Sequence, residues 1–200
     1  NYESLYNIYV EYVQSCRLAN VMDFDDLLYY TYVLFANKEN GVCRHYASEF
    51  KYILVDEYQD TNFAQHNIIL KLANKEGKVC VVGDDAQSIY SFRGANISNI
   101  LDLKKYYPGI LTFKLEQNYR STQNIIEAAN SLIAKNSQQI PKNIFSNNSP
   151  GELVELIQSN SDFEESYAVA NHIIYTKTRQ GGSFDDFAIS QALPPDLILY

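Results

Sequence analysis

Apolar positions recur at helical spacing at the start of the chain, and this pattern predicts helix from residue 1 to about Phe35. Asp23 is a suitable N-cap for the part of this helix that precedes Phe35, because a short acceptor side chain there can satisfy free backbone N–H groups. Residues 38–41 are polar and include Gly41, so the helical stretch should end before them.

Short continuous apolar runs then alternate with helical patterns. The runs that predict strands are residues 52–55, 79–82, 111–115, 153–157 and 187–189, and the stretches that predict helices are residues 62–74, 97–106, 121–133 and 161–180. Ser121 should cap the third helix, and Ser161 with Glu164 forms a capping-box signature before the fourth, which Gly181 should end. We expect the first two strands to be buried on both faces, as in a parallel sheet. The alternation indicates an α/β fold, in which ligands bind beyond the carboxyl ends of the strands.

Composition narrows the class of protein. Apolar residues make up 46% of the 200 residues and charged residues 20%, which argues against disorder. No apolar run approaches a membrane span, and the start lacks the segments of a signal peptide, so we expect an excised piece of a longer protein. Three cysteines without a CxxC pair favour a reduced, cytoplasmic setting. A net charge of −8 argues against wrapping nucleic acid by bulk charge, but not against a local groove with aromatic platforms.

The first candidate site follows the strand at residues 52–55, where Asp56 and Glu57 are adjacent. One carboxylate could hold Mg²⁺, which prefers oxygen ligands, and the other could orient or deprotonate an attacking water. Taken by itself, the pair could equally be a solvated strand end at a turn.

The second candidate site follows the strand at residues 79–82. Gln87 could donate to a phosphate oxygen and accept from water. Tyr90 and Phe92 could stack on bases, a contact worth roughly 1–3 kcal/mol per base, and Arg93 lies beside them. Taken by themselves, the two aromatic residues are more typical of the core.

A third polar cluster, with Tyr119 and Arg120, follows residues 111–115. An arginine there could stabilise charge on a transferred phosphoryl group, and the tyrosine could stack on adenine. The alternative for the dipeptide is an arginine salt-bridged at a helix start.

Three longer runs resemble a known family. Residues 55–62 read VDEYQDTN and resemble motif II of the UvrD/Rep/PcrA helicases of superfamily 1. Residues 82–95 resemble motif III, with Ala86 where the family often has Asp, and residues 115–121 resemble motif IV, LxQNYRS. The segment at residues 22–28 and Lys142 also fit the family.

The resemblance implies a RecA-like P-loop NTPase fold with parallel sheets flanked by helices, in two partial RecA-like units. Residues 1–48 would be a helical segment that joins an inserted helical subdomain to the first unit, residues 49–109 would complete that unit, and residues 110–200 would begin the second. The roles that the resemblance implies are a Mg²⁺ ligand (Asp56), the catalytic base (Glu57), a link from the nucleotide site towards DNA (Gln59), a γ-phosphate sensor (Gln87), the single-strand path (Tyr90, Phe92, Arg93), adenine stacking (Tyr119) and an arginine finger (Arg120).

The function implied by the resemblance is an ATP- and Mg²⁺-dependent DNA helicase. It would move 3′ to 5′ on single-stranded DNA and unwind duplexes at single-strand/double-strand junctions in replication or repair. A membrane is not expected among its partners. The chain has no G-x-x-x-x-G-K-[ST] loop and no motif V or VI, and residues 190–200 do not follow the family. We therefore expect this chain by itself to bind ATP weakly and not to hydrolyse it. Two alternatives remain open: the motor of a helicase–nuclease subunit of the AddA/RecB kind, and a non-catalytic DNA-binding module that kept the fold.

Overall fold

The computed structural model describes residues 2–73 and 78–190. The chain divides into two compact units, of which the first comprises residues 1–114 and 136–142 and the second residues 115–135 and 143–200. The helices are α1 (Tyr2–Ala19), α2 (Phe24–Ala36), α3 (Val42–Glu49), α4 (Phe63–Leu72), α5 (Ser98–Leu101), α6 (Leu103–Tyr106), α7 (Gln123–Ile133) and α8 (Asp162–Gln180). The strands are β1 (Tyr52–Val55), β2 (Lys78–Val81), β3 (Gln117–Asn118) and β4 (Phe145–Ser146).

The single helix predicted from residue 1 to Phe35 is two helices. The backbone is left-handed at Asn20, with φ of 53°, and extended at Asp23, so the helical hydrogen bonds are interrupted between α1 and α2. Asp23 is the N-cap of α2, as predicted, and forms a reciprocal capping box with Asp26. Asp23 therefore begins a second helix, α2, instead of lying inside one continuous helix.

A bundle of three helices forms one side of the first unit. Helices α2, α3 and α4 pack against one another and bury Phe35 and Ala47. Asn62 caps α4 through a second capping box, in agreement with the predicted helix start. The predicted end of this helix at residue 74 lies outside the described residues. The hydrophobic pattern did not indicate helix α3, although it lies almost wholly in the segment 1–48 that the resemblance implies to be helical.

Strands β1 and β2 pair in parallel, with Val55 opposite Val81. The parallel pairing agrees with the predicted α/β class, and it brings the carboxyl ends of both strands to one edge of the sheet. The expectation of burial on both faces is wrong here, because Leu54 is 77% exposed and Tyr52 62% exposed. Nothing in the described part of the chain covers the face that carries them.

The helix predicted at residues 97–106 is interrupted. Asp102, with φ of −92° and ψ of 4°, separates α5 from α6. Helix α5 packs against the turn of 3₁₀ helix at Tyr58–Asp60, and a turn at Pro108 and Gly109 follows α6, as predicted.

The second unit contains the parallel pair β3 and β4, with α7 packed on β4. Thr122, not Ser121, is the N-cap of α7, because the helix begins one residue later and the Ser121 carbonyl accepts from the Ser146 hydroxyl. Ser161 caps α8 as predicted, and Gly181 ends it in a left-handed conformation. The Glu164 carboxylate accepts from the Asn160 backbone instead of completing the predicted box.

Three predicted strands are not strands. Residues 111–115, 153–157 and 187–189 are irregular. Their apolar side chains are largely exposed, as at Leu115 (85%) and Leu156 (93%), and these runs have no neighbouring strand to pair with among the described residues. Of the divergent stretch at residues 190–200, all but the first residue lies outside the described residues. No helix of the described ranges is long and apolar enough to cross a membrane.

Candidate nucleotide and nucleic-acid sites

A strained turn presents the two carboxylates that follow β1. Glu57 has φ of 50° and ψ of 42°, a left-handed conformation that costs a non-glycine residue on the order of 1–3 kcal/mol. The turn is held on both sides, because the Asp56 carboxylate accepts from the Glu57 backbone at 2.9 Å and the Tyr58 backbone donates to Val82 at 3.0 Å. The Tyr58 side chain beneath is fully buried. Both carboxylates are exposed at the edge where the parallel strands end.

Gln59 connects this turn to the segment after β2. Its side chain is almost fully buried, at 1% exposed. Its Nε2 donates to Glu57 Oε2 at 2.7 Å, and its Oε1 accepts from the Asp84 backbone N–H at 3.0 Å. Gly83 allows this approach, because a Cβ at Gly83 would lie 2.6 Å from Gln59 Oε1. The amide therefore fixes Glu57 relative to Asp84.

An open concavity of about 340 Å³ lies beside the carboxylates. Asp56, Glu57 and Asp60 contribute to its lining, and Asp60 Oδ1 is buried without a hydrogen-bond partner. In the described residues, no group of three or more His, Cys, Asp or Glu side chains could hold a metal ion by itself. Because Mg²⁺ is usually held by one or two carboxylates together with substrate phosphates, this donor set fits Mg²⁺.

Asp84 orients Gln87. Gln87 Nε2 donates to Asp84 Oδ2 at 2.8 Å, while Asp84 Oδ1 accepts from the Ala86 backbone at 3.0 Å. Lys142 binds the same carboxylate and also Asp85, the latter at 2.7 Å. Burial raises the pKa of Asp84, but the hydrogen bonds from Lys142 and Gln87 outweigh it, so the pKa of Asp84 lies below its usual range. Asp84 is therefore charged at neutral pH and holds the Gln87 amide in one orientation.

Tyr90, Phe92 and Arg93 form an exposed aromatic and cationic cluster. The two ring centroids are 5.9 Å apart, and Arg93 Cζ lies 5.6 Å from the Tyr90 centroid and 5.4 Å from the Phe92 centroid. Tyr90 is 40% exposed and Phe92 49% exposed. The alternative of two core aromatics does not hold in this unit, and the exposed faces are suited to stacking on bases.

Hydrogen bonds fix the segment after this cluster to the segment after the carboxylates. The Asn96 backbone donates to the Thr61 carbonyl at 3.1 Å, and the buried Asn99 side chain donates to the same carbonyl at 2.9 Å. Asn62 and Ala95 form an isolated antiparallel bridge. The aromatic cluster and the carboxylate turn therefore belong to one braced loop region.

Tyr119 and Arg120 lie in the second unit, on a turn that follows β3. Asn118 Oδ1 accepts from the backbone N–H groups of Arg120 and Ser121, at 2.9 and 2.8 Å. The Asn148 side chain donates to the carbonyls of Tyr119 and Ser121. Tyr119 is 78% exposed, and Arg120 is also exposed, so both side chains are available to a ligand.

Within the first unit, the structure brings Asp56, Glu57 and Gln87 into one network through Gln59 and Asp84. The residues that sequence reasoning missed as part of this network are Asp84, Asp85 and Lys142. Asp84 directly precedes the predicted cluster and could have been noticed as a carboxylate at a strand end. Lys142 is 58 positions away from Asp84, and no local pattern links the two.

Paired carboxylates at the end of a parallel strand, with an amide held beside them, have the chemistry needed to bind Mg²⁺ and a phosphate. The sequence profile of the UvrD/REP helicase N-terminal domain matches residues 1–108, and that of the UvrD-like helicase C-terminal domain matches residues 113–189. The chain belongs to the UvrD/REP helicase family.

Individual relatives agree with this assignment. The chain is 38% identical over 187 residues to the ATP-dependent DNA helicase PcrA of Leuconostoc citreum, covering 94% of the chain and 25% of the relative. It is 39% identical over 189 residues to the ATP-dependent DNA helicase Rep of Buchnera aphidicola subsp. Baizongia pistaciae (94% and 27%), and 40% identical over 190 residues to the ATP-dependent DNA helicase UvrD1 of Mycobacterium bovis (92% and 24%). The chain spans about a quarter of the length of these relatives.

Proposed function

We propose that this chain is part of an ATP-dependent DNA helicase that uses Mg²⁺-ATP hydrolysis to move 3′ to 5′ along single-stranded DNA and to unwind duplex at its junctions. The observation that carries the proposal is the hydrogen-bonded network from Glu57 through Gln59 and Asp84 to Gln87. It joins a candidate base to a candidate phosphate sensor. The names of the relatives support ATP as the substrate and DNA as the track.

In this proposal Glu57 takes a proton from the attacking water. The water oxygen bonds to the γ-phosphorus, and the bond from that phosphorus to the β,γ-bridging oxygen breaks, which releases ADP and phosphate. Asp56 would hold Mg²⁺, which would neutralise charge on the phosphates when bound. One N–H of the Gln87 amide donates to Asp84, and the exposed remainder of the amide would contact the γ-phosphate and the water.

The second unit would contribute Tyr119, stacked on adenine, and Arg120, an arginine finger. The exposure of both side chains on a braced turn supports these roles. We propose that both units are RecA-like, with residues 1–48 joining an inserted helical subdomain, residues 49–109 completing the first unit and residues 110–200 beginning the second.

Coupling to DNA would run through the aromatic cluster. Tyr90 and Phe92 would stack on bases, and Arg93, whose guanidinium lies beside both rings, would approach the DNA backbone. The hydrogen bonds from Asn96 and Asn99 to Thr61 support the proposal, because they connect the loop that carries the cluster to the loop that carries Glu57.

The test of hydrolysis is the ATPase activity of the full-length protein, with and without single-stranded DNA, for wild type and Glu57→Gln. Loss of a general base costs on the order of 10²–10⁴ in rate, so Glu57→Gln should abolish measurable turnover. Glu39→Gln, the same change at an exposed glutamate in the same unit, is the matched control and should leave turnover unchanged. Wild-type turnover in Glu57→Gln would contradict the proposal, and a folded wild type without ATPase activity would favour a binding module.

The test of the DNA path is the affinity of the full-length protein for single-stranded DNA after Phe92→Ala. A stacking contact of roughly 1–3 kcal/mol corresponds to a dissociation constant raised by about 5- to 140-fold. Phe24→Ala changes another exposed phenylalanine of the same unit and should have no effect on this affinity. Equal affinities of the two variants would remove Phe92 from the DNA path.

A further inference from the structure

Lys142 supplies a cation to the candidate nucleotide site from a part of the chain that no motif covers. Its Nζ binds the carboxylates of Asp84 and Asp85, and the Lys142 side chain is only 16% exposed. The Asp85 side chain is 2% exposed, and its second oxygen accepts from the Ile140 backbone at 2.7 Å. The Lys114 ammonium also donates to the Pro141 carbonyl. The segment at residues 140–142 is therefore fixed at three consecutive positions.

The charges make Lys142 necessary to this arrangement. One ammonium faces two carboxylates, and one of those carboxylates is almost fully buried. A buried carboxylate without a partner is strongly disfavoured, since it has lost its water and gained nothing in exchange. Without Lys142, the Asp84 and Asp85 carboxylates would repel each other, and Asp84, the more exposed of the two, would turn towards solvent. The Asp84 carboxylate would therefore move.

Movement of Asp84 would affect both ends of the network described above. Its carboxylate holds the Gln87 amide at 2.8 Å, and its backbone N–H holds the Gln59 amide, which in turn binds Glu57. In the described part of the chain, the Lys142 ammonium pairs with Asp84 and Asp85 and forms no hydrogen bond with Gln87 or Glu57. Its influence on them passes through Asp84.

We propose that Lys142 is a positioning residue for ATP hydrolysis: by fixing Asp84 and Asp85, it holds the Gln87 amide in the orientation that acts on the γ-phosphate. This proposal rests on the proposed ATPase function. It adds to that function a residue that belongs to neither the carboxylate turn nor the Gln87 segment. Because Gln87 would act on the transition state, the loss should appear in kcat for ATP hydrolysis rather than in KM.

The experiment compares Lys142→Met with Lys142→Arg and Lys135→Met in the full-length protein, with DNA-stimulated ATPase activity as the readout. Lys135 is an exposed lysine seven positions earlier and is the matched control. Lys142→Met should lower kcat on the order of 10- to 100-fold, with KM for ATP changed less than about twofold. Lys142→Arg keeps the charge and should retain most of the activity, and Lys135→Met should match wild type. Equal kcat in Lys142→Met and Lys135→Met would overturn the proposal.

A double variant separates positioning from folding. Lys142→Met combined with Asp85→Asn removes both the cation and the most buried carboxylate, so the thermal midpoint should recover towards wild type. If Lys142 acts through Asp84, kcat should stay low in this double variant. Recovery of kcat together with the midpoint would reduce Lys142 to a structural counter-charge and overturn the proposal. This comparison also covers the case in which Lys142→Met by itself does not fold.

A second double variant tests the route through Gln87. In a Gln87→Ala background, Lys142→Met should cause little further loss of kcat, because the group that it positions is gone. If the losses of kcat from the two substitutions multiplied instead, the proposed route from Lys142 through Gln87 would be contradicted. Failure of the proposed function is recognised separately, since wild type would then lack ATPase activity or Glu57→Gln would keep it. With those two results as expected, an unaffected Lys142→Met refutes only the role of Lys142.

Discussion

The substitution Gly83→Ala tests how closely the two strand-end loops approach each other. A Cβ at Gly83 would lie 2.6 Å from Gln59 Oε1, 2.9 Å from Ile100 Cδ1 and 3.3 Å from the Tyr58 backbone nitrogen. Gln59 cannot turn away freely, because its amide is buried and bonded at both ends. The added methyl group should therefore displace Gln59 and break its hydrogen bond from the Asp84 backbone.

The expected loss of stability follows from three contributions. Overpacking costs roughly 1–3 kcal/mol, and a lost hydrogen bond adds about 0.5–1.5 kcal/mol. The reduced entropy of the unfolded chain offsets about 0.4–1 kcal/mol, since Gly83 does not have a left-handed backbone that alanine would strain. The net destabilisation is about 0.5–4 kcal/mol, which should lower the urea midpoint of the transition in which the first unit unfolds.

The assay is urea unfolding of the full-length protein together with its ATPase rate. Gly109→Ala is the matched control, because a Cβ at Gly109 would meet nothing within 4 Å. Gly83→Ala should lower both the unfolding midpoint and the ATPase rate, whereas Gly109→Ala should change neither measurably. If the two alanine variants had the same midpoint and the same rate, the close packing of Gly83 on Gln59 and its link to Glu57 would both be refuted.

Two further predictions concern the first unit. Asp23→Ala should cost about 1 kcal/mol by removing the cap of α2, as measured by urea unfolding, and Asp25→Ala in the same helical turn should cost less; equal losses would argue against the cap. Burial lowers the pKa of His66 below 6.5, so the unfolded chain takes up a proton first as the pH falls. The stability contributed by neutral His66 should be fully present above about pH 6.5 and lost as the pH falls towards the folded pKa. His66→Gln should remove this slope of stability against pH and the exposed His172→Gln should retain it, and a slope that persists in His66→Gln would contradict the assignment.

Local signals predicted the elements that depend on neighbouring residues. Asp23 and Asn62 cap helices, and β1 and β2 pair in parallel, because a cap or a short apolar strand needs little beyond its own few residues and one partner. The runs at residues 111–115 and 153–157 have the same composition as strands but are irregular. A strand also needs a neighbour, and sequence periodicity does not report whether one is present.

The candidate site also divides into residues that a local pattern indicates and contacts that depend on distant parts of the chain. The motif patterns indicated Glu57, Gln59 and Gln87, but the hydrogen bonds that join them, and the parts taken by Asp84 and Lys142, became visible only in the structure. Gln59 is bonded through both ends of its amide, and Lys142 acts across 58 positions from Asp84. Side-chain orientation and long-range charge pairing are set by packing, for which a single sequence carries no local signal.

The return of residues 136–142 to the first unit affects how that unit can be produced. A polypeptide that stops at Lys114 would leave Asp85 buried without its ammonium partner and should be prone to aggregation. A polypeptide that starts at Leu115 would carry the same lysine with no carboxylates to bind. Expression of the isolated first unit therefore calls for a short linker in place of residues 115–135, so that the 136–142 segment is retained.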